Sequence, residues 1–430
     1  MKTERPGEQS VTEACVCRVD KDADEEQRSA CKGLDFYAEH KGKRYCVLHF
    51  PSTEKGDDFR NEIERKLEPD NKDFNFACVY FPEDQSFESC EFPLGANFSK
   101  AFFEGDANFD GATFHGDANF HATTFKGNAC FREATFKGAA TFWEARFLRD
   151  ACFNRAKFLD RAQFSARRCY RAFNLKRAVN FDYVGIEKPE LCAFNSLRLR
   201  PSWFIYVEKL QELKFHEVQW YGLREGPRPR EQDEAIAFRG EADALQNRKG
   251  KGKGCQHDVT KNISQPYQLL ARTYRRLSRN YEDNREYPIA NEFHYWSMDA
   301  TRRRDWSFFE DLSWRDLRKW ESWPAIVRHF GLITTLYFLL SGYGVRAARA
   351  FWVLAGMCAA FAVLYIMFGP PKLQDLAQAV VYSLGAAARL NPEPRPNEPG
   401  LFQFLVIAEG LLGPLQIGLL LLALRRKVMR

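Results

Sequence analysis

The residues best suited to chemistry in this sequence are cysteine and histidine side chains close to its start. Cys46 and His49 are separated by two residues, a spacing that lets both side chains bind one tetrahedral metal ion. Cys31, together with Cys15 or Cys17, would complete a site with three sulfur ligands and one nitrogen ligand. Such an ion stabilises a short, charged segment that has little core of its own. The pattern predicts one structural zinc ion; the alternative is a set of thiols that bind no metal.

A carboxylate near the end of the chain is the second candidate. Glu409 is the one charged residue of the apolar run 400–424, where an unpartnered carboxylate would be costly. It could line a water-filled path or act as a structural group inside a helix bundle. The alternative, favoured by its distance of nine residues from Gly400, places it near the outer interface of a membrane. Gly413 and Pro414 follow, and they predict a kink suited to an inner gate.

The sequence spells out no catalytic constellation. His115 and His121 stand among aspartates, but no nucleophile with a base and an orienting group accompanies them. The phosphate-loop and dinucleotide fingerprints are absent, and the KGKGKG run at 249–254 lacks the strand and helix that such a loop requires. We therefore do not expect an enzyme.

Regularly spaced aromatic residues predict a repeat structure in the region 76–164. Seventeen phenylalanines between 76 and 164 follow one another at gaps that alternate between five and six residues, and an alanine stands two residues before twelve of them. This period fits a solenoid, in which each repeat buries its face against the next. The predicted corner glycines are Gly105, Gly111, Gly116, Gly127 and Gly138. The predicted core positions are Phe98, Phe103, Phe109, Phe114, Phe120, Phe125, Phe131, Phe136, Phe142, Phe147, Phe153 and Phe158.

Apolar segments after residue 345 predict a membrane domain. The run 350–369 carries no charge and, at about 1.5 Å per residue, is long enough to cross a hydrocarbon core of about 30 Å. A second span covers 400–424, and between the two spans the apolar run 376–388 has only about half the length needed. Arg346 precedes the first span and Arg425 follows the second, so both chain termini are expected in the cytoplasm.

Residues 374–427 resemble the pore region of the two-helix potassium-channel superfamily. VVYSL at 380–384 stands where the pore helix ends, and LFQFLVIAEGLLG at 401–413 stands where the inner helix begins. The T-V-G-Y-G filter of that family is replaced by LGAAARL at 384–390, so potassium selectivity is not implied. Arg389 would lie at the outer mouth and repel cations, or else in an exposed loop. The resemblance implies pore or gate roles for Tyr382, Ser383, Leu384, Gly385, Arg389, Glu409, Gly413 and Pro414.

Most of the chain from Cys31 to Arg430 resembles bacterial pentapeptide-repeat proteins that join an A-x-F solenoid to a channel-like membrane domain. The resemblance implies a cytoplasmic right-handed quadrilateral β-helix and a two-transmembrane-helix pore-like domain with a re-entrant helix, and a separate pattern predicts an α-helical hairpin between them. Six anchor positions beginning at Tyr274 match one tetratricopeptide-type hairpin. The predicted segments are a possible zinc segment at 1–60, the β-helix at 70–185, a β cap at 186–221, a flexible linker at 222–264, the hairpin at 265–304, amphipathic interfacial helices at 305–345, and the pore-like domain at 346–430 with its pore helix at about 374–388.

The excess of basic residues in part of the solenoid limits the classes of partner that it can bind. Residues 126–177 contain thirteen basic and four acidic residues, whereas DNA mimicry, a role of some pentapeptide-repeat proteins, needs a continuous acidic face. That balance fits anionic lipid headgroups, and nucleic acid is the less economical partner. The alternative is a solvated wall with no partner.

Two functions follow from these patterns. The first is an ion-channel-like protein of the bacterial inner membrane, multi-pass and homo-oligomeric, with four subunits around an axis and a cytoplasmic solenoid that senses or docks an unknown ligand or protein. The second is a non-conducting, membrane-anchored scaffold that uses a degenerate pore fold to oligomerise. The missing filter favours the second, and the retained pore-helix outline favours the first.

Overall fold

The fold divides into two compact units, Met1–Ser264 and Gln265–Arg430. The computed structural model describes residues 30, 34, 36–68, 70–166, 179–221, 240–243, 245, 265–310, 332–390, 392–394 and 400–428. Cys15, Cys17 and Cys31 lie outside the described residues, as do most of the predicted linker at 222–264 and the middle of the predicted interfacial segment.

The first unit is a β-solenoid with four walls of short parallel strands. Wall 1 contains Tyr80–Phe81, Phe102–Phe103, Thr124–Phe125 and Arg146–Phe147. Wall 2 contains Gln85–Ser86, Ala107–Asn108, Ala129–Cys130, Ala151–Cys152 and Val179–Asn180. Wall 3 contains Glu91–Phe92, Thr113–Phe114, Thr135–Phe136, Lys157–Phe158 and Gly185–Ile186. Wall 4 contains Ala96–Asn97, Ala118–Asn119, Ala140–Trp143, Ala162–Ser165, Cys192–Asn195 and Lys214–His216.

The alternating gaps of five and six residues have a geometric meaning. Two gaps of each kind complete one coil, so residues that stack on one another are 22 positions apart, as Asp117 and Ala139 are. The shorter sides turn through a residue with positive φ, and these residues recur every eleven positions, beginning with Cys78, Ser89 and Lys100. The backbone closes each such turn with a bond like that from Val79 N–H to the Phe76 carbonyl.

The predicted glycines play two different roles at the corners. Only Gly111 of the five has a positive φ, +68°. At Gly127 the requirement is space, because a Cβ atom there would lie 2.1 Å from the carbonyl oxygen of Gly105 in the preceding coil. Glycine therefore permits close stacking of coils more often than it permits an unusual backbone conformation.

The phenylalanines fill the interior of the solenoid in columns. Rings 22 positions apart lie nearly parallel, for example Phe98 and Phe120 at 5.1 Å and 2°. Rings of different columns meet edge to face, as Phe98 and Phe109 do at 87°. All twelve predicted core rings are buried. Each ring thus joins favourable offset and edge-to-face contacts while leaving the surface to polar side chains.

The solenoid continues through the segment predicted as a cap. Wall 4 extends to Lys214–His216, and the strands Arg198–Leu199 and Gln219–Trp220 pair in parallel with each other. The step from Ala151 to its partner Val179 is 28 residues rather than 22, because extra residues lie between these coils. Short 3₁₀ helices at Pro189–Leu191, Pro201–Phe204 and Leu210–Glu212 connect the last strands.

A small cap covers the opposite end of the solenoid. The strands Ala38–His40 and Lys43–Tyr45 form an antiparallel hairpin, and helix α1 (Gly56–Leu67) follows. Phe59 of α1 packs edge to face on Phe81 at 5.8 Å. The cap therefore shields Phe81, the first ring of its column, from water.

The second unit is helical. Helices α2 (Pro266–Asp283) and α3 (Tyr287–Glu310) form the predicted hairpin, in which Tyr274 and Tyr281 pack on Phe293. Helices α4 (Leu332–Ser341), α5 (Ala347–Phe368), α6 (Leu376–Ala387) and α7 (Leu401–Val428) follow, with a 3₁₀ turn at Pro371–Leu373. Two of these helices, α5 and α7, are long and apolar enough to cross a membrane.

Candidate functional sites in the cap and the helical bundle

The cap brings together two of the five predicted zinc ligands. Cys46 and His49 are buried, and Cys46 Sγ lies 3.1 Å from His49 Nδ1. The other ring nitrogen, Nε2, donates to the carbonyl oxygen of Ala77 at 2.8 Å. That bond fixes the ring and leaves Nδ1 for a thiol or a metal ion, which is how protein metal sites orient histidine ligands. Among the described residues no group of three potential ligands occurs, and the remaining predicted ligands lie outside them.

A buried lysine stands beside this pair and was not foreseen from the sequence. Lys55 Nζ donates to the carbonyl oxygens of Leu48 at 2.7 Å and Tyr80 at 2.6 Å. Its ammonium also lies 4.4 Å from the centre of the Phe59 ring. Burial lowers the pKa of Lys55 to about 7, against an opposing effect of Cys46. The lysine ties the cap to the first coil of the solenoid.

In the helical bundle, the short helix α6 packs against both long helices. Its first turn begins at Asp375, whose carboxylate accepts the backbone N–H of Gln378 at 3.2 Å. Tyr382 is buried, and its hydroxyl donates to the carbonyl oxygen of Pro394 at 3.0 Å. The first turn of α6 is therefore capped by a side chain, and the middle of the helix is hydrogen-bonded to the loop that follows it.

Glu409 is buried at the centre of this packing. The Tyr365 hydroxyl of α5 donates to Glu409 Oε2 at 2.6 Å. The Ser383 hydroxyl of α6 is hydrogen-bonded to Glu409 Oε1, and it also lies 3.0 Å from the carbonyl oxygen of Cys358. The carboxylate thus joins α5, α6 and α7 through both of its oxygens. The sequence feature that could have identified Tyr365 is its hydroxyl group, a polar group inside the apolar run 350–369.

The remaining predicted pore residues lie in α6, in α7 and just after α6. Gly413 lies where α6 meets α7, because a Cβ atom there would lie 2.5 Å from Ala387 Cα. Arg389 follows α6 with φ +57°, and its Nε donates to the carbonyl oxygen of Gly410 at 2.9 Å. Gly385 is inside α6 and close to Pro392, while Leu384 is exposed. Pro414 lies within α7, which is one continuous helix from Leu401 to Val428.

A second polar side chain of α7, Gln416, points into the bundle, and the opposite face of α7 is apolar. Gln416 is buried and donates through Nε2 to the carbonyl oxygens of Leu340 and Ala350, both at 2.9 Å. The sequence analysis did not single out this glutamine. Its position as a polar residue inside an apolar span is the feature that could have identified it. The opposite face of α7 exposes Phe404, Ile407, Leu411 and Leu415.

The helical hairpin is joined to the basic ends of the long helices. Asn291 of α3 donates to the carbonyl oxygen of Arg426 at 3.3 Å. Glu292 lies 3.8 Å from Arg346, whose guanidinium stacks at 4.8 Å on the ring of Tyr295. The start of α5 and the end of α7 are therefore held by one surface of α3.

Comparison with known proteins identifies the repeats of the solenoid. Residues 87–129 match the family profile described as pentapeptide repeats (9 copies), a match that lies wholly within the four-walled solenoid. Neither the curated proteins nor the solved structures contain a match to the chain.

Proposed function

We propose that this chain is an oligomeric, ion-channel-like membrane protein whose pentapeptide-repeat solenoid docks or senses a ligand. The observation that carries the proposal is the seating of α6 between α5 and α7 through Ser383, Tyr365 and Glu409. The order long helix, half-length helix, polar loop, long helix is that of a two-helix pore subunit.

Helix α6 enters and leaves the bilayer on one side in this proposal. Its twelve residues span only about 18 Å at about 1.5 Å per residue, less than a hydrocarbon core. The loop after it, which begins at Arg389, then lies at the mouth of the path. Arg389 bonds the backbone of α7, and a cation fixed there opposes cation entry.

Subunits assemble through the apolar outward face of α7. One copy cannot enclose a path, so several copies surround an axis, and four is the number that the pore-like order of helices favours. The exposed side chains of Phe404, Ile407, Leu411 and Leu415 suit contact with another copy or with lipid.

A second candidate function is a non-conducting scaffold with the same assembly. Glu409 and Gln416 are both occupied by hydrogen bonds inside one subunit, so neither is turned toward a shared axis. A path lined only by the apolar face of α7 would exclude ions by dewetting. In that case the pore-like bundle serves to gather solenoids at the membrane.

In the proposed orientation, the basic helix ends and the solenoid lie in the cytoplasm of a bacterial cell, at its inner membrane. Arg346 and Arg426 belong to the same end of the bundle, because each contacts α3, and basic residues favour the cytoplasmic side. Anionic lipid headgroups are the partners proposed for this end and for the basic coils of the solenoid. The solenoid is proposed to be right-handed and quadrilateral.

Current recording separates the two candidate functions. Purified protein in planar bilayers should give discrete current steps, and Arg389→Gln should raise cation current relative to anion current because it removes a fixed cation. The matched control is Arg285→Gln, outside the bundle. Silence of the unmodified protein across ions, voltages and tension would reject the channel and leave the scaffold.

We also propose that Cys46 and His49 bind zinc together with Cys31 and either Cys15 or Cys17. The fixed ring of His49 and the adjacent thiol of Cys46 fit two corners of a tetrahedral site. Metal analysis of the full chain should find one zinc ion per chain, lost in Cys46→Ser and His49→Ala and kept in Cys78→Ser. An unmodified chain that carries no zinc would refute this site.

A further inference from the structure

Wall 4 of the solenoid carries a groove of about 580 Å³ on its outer surface. Its floor follows one column of outward side chains, Asn97, Asn119 and Thr141, which belong to successive coils. At one end stand His121 and Trp143, and Asp117 forms part of the rim. A concave site of this size with converging polar groups is suited to a small ligand.

The asparagines present hydrogen-bond donors toward the groove in a fixed orientation. Asn97 Oδ1 accepts the N–H of Ser99 at 3.0 Å, and Asn119 Oδ1 accepts the N–H of His121 at 3.0 Å. These hydrogen bonds occupy the side-chain oxygens of both asparagines and fix the planes of their amide groups. In the described part of the chain neither Nδ2 group has a partner, so two donors are repeated at the coil spacing of about 4.8 Å.

An exposed indole extends this row of polar groups. Trp143 is 47% exposed although it lies on a wall of otherwise small or polar outward residues. The His121 ring lies 4.9 Å from it and supports it on the side of the preceding coil. The next residue in that column is Ser165, which is too small to cover an indole. An aromatic face beside amide donors matches a ligand with an apolar face and polar edges.

The charged side chains of this groove disfavour a phosphorylated ligand. Two carboxylates, Asp73 and Asp117, line it against one ammonium, Lys72. Asp117 Oδ1 accepts the N–H of Ala139, and its second oxygen remains an acceptor at the rim. The site thus offers repeated donors, an acceptor and a flat apolar surface, and it lacks the excess of positive charge that favours a phosphate.

We propose that this groove binds a neutral oligosaccharide. The C–H face of one sugar ring lies on Trp143, and hydroxyl groups of successive sugars accept from Asn97 and Asn119 and donate to Asp117. A repeating ligand fits because the donors repeat from coil to coil. The proposal deepens the docking role proposed for the solenoid, and it stands whether or not the helical bundle conducts.

Binding of defined sugars by the full chain in nanodiscs tests this proposal. Cellotetraose, maltotetraose and chitotetraose, titrated calorimetrically, should include at least one that binds with one site per chain. Trp143→Ala should weaken that binding at least tenfold. Asn119→Asp should do the same, because it keeps the acceptor for His121 N–H and removes the donor. Tyr183→Ala, an exposed aromatic side chain outside the groove, should leave binding unchanged.

Three results would overturn the proposal. One is the absence of binding by all three sugars. Another is binding that Trp143→Ala and Asn119→Asp leave intact. The third is tighter binding of adenosine than of any sugar, which would assign the indole to a nucleobase. Unchanged coil protection in hydrogen exchange of each variant shows that the loss is not due to unfolding.

Discussion

At the scale of residues, a polar contact can be predicted from the sequence when the partners are near neighbours, but not when they are far apart in the chain. Cys46 and His49 are three positions apart, so their spacing predicted their contact. Glu409 instead meets Ser383 and Tyr365, which are 26 and 44 positions away. No local pattern encodes such contacts, because they arise only when the helices pack. The sequence predicted the importance of Glu409 and could not predict its partners.

Removal of the buried carboxylate should weaken the bundle. Glu409→Ala leaves the hydroxyls of Tyr365 and Ser383 without an acceptor, and we expect a loss of roughly 1–3 kcal/mol in the free energy of unfolding. Glu409→Gln keeps one acceptor and should lose less. Thermal unfolding in nanodiscs measures both. Equal stability of Glu409→Ala and the unmodified protein would contradict the arrangement.

Lys55 predicts a pH dependence of the solenoid cap. Its pKa is about 7 when folded and 10.5 when unfolded, so between these values the unfolded state binds more protons. Stability of the cap should therefore rise as the pH increases from about 7 to 10.5. Lys55→Met should remove this rise. Hydrogen exchange of α1, corrected for intrinsic rates, measures the opening free energy. The same pH slope in both proteins would show that Lys55 is not the titrating group.

At the scale of elements, the regular spacing of the phenylalanines predicted most of the solenoid from the sequence alone. It indicated which side chains face inward, because a strict period leaves little freedom for that choice. It did not predict the coils after Val179, since the extra residues before that strand break the period and residues other than phenylalanine share the core. Parallel pairing through backbone hydrogen bonds tolerates such changes, which a sequence period does not reveal.

Loss of one ring should open its coil locally. Phe120 stacks between Phe98 and Phe142, so Phe120→Ala creates a cavity within a column. We expect a cost of about 3–5 kcal/mol. Hydrogen exchange of the strand Ala118–Asn119 and its neighbours should accelerate, whereas the exposed control Lys157→Ala should leave it unchanged. Equal protection in Phe120→Ala would contradict a stacked core.

Two glycines of α7 provide a matched test of helix packing. A Cβ atom at Gly413 would meet the backbone of Ala387, whereas none of the atoms around Gly418 lies within 4 Å of its Cβ position. Gly413→Ala should push α6 from α7 and lower the unfolding temperature. Gly418→Ala should be neutral or stabilising by up to about 1 kcal/mol through helix propensity. A reversed order of stabilities would contradict the close contact of α6 with α7.

At the scale of the whole molecule, the chain joins a repeat solenoid to a helical unit with two candidate membrane spans. Composition and span length predicted the helical unit well, because apolar runs are read directly from sequence. The inward placement of Glu409 and Gln416 required the structure. Both proposed functions need several copies around one axis, and they differ only in whether that assembly conducts.

The stoichiometry in native lipid therefore tests the central claim most directly. Native mass spectrometry of the full chain, released from nanodiscs, should show four copies. Leu411→Arg, on the exposed face of α7, should shift that population toward single chains, while Arg285→Gln on the helical hairpin should not. Only single chains or pairs of the unmodified protein would contradict an assembly around a shared axis.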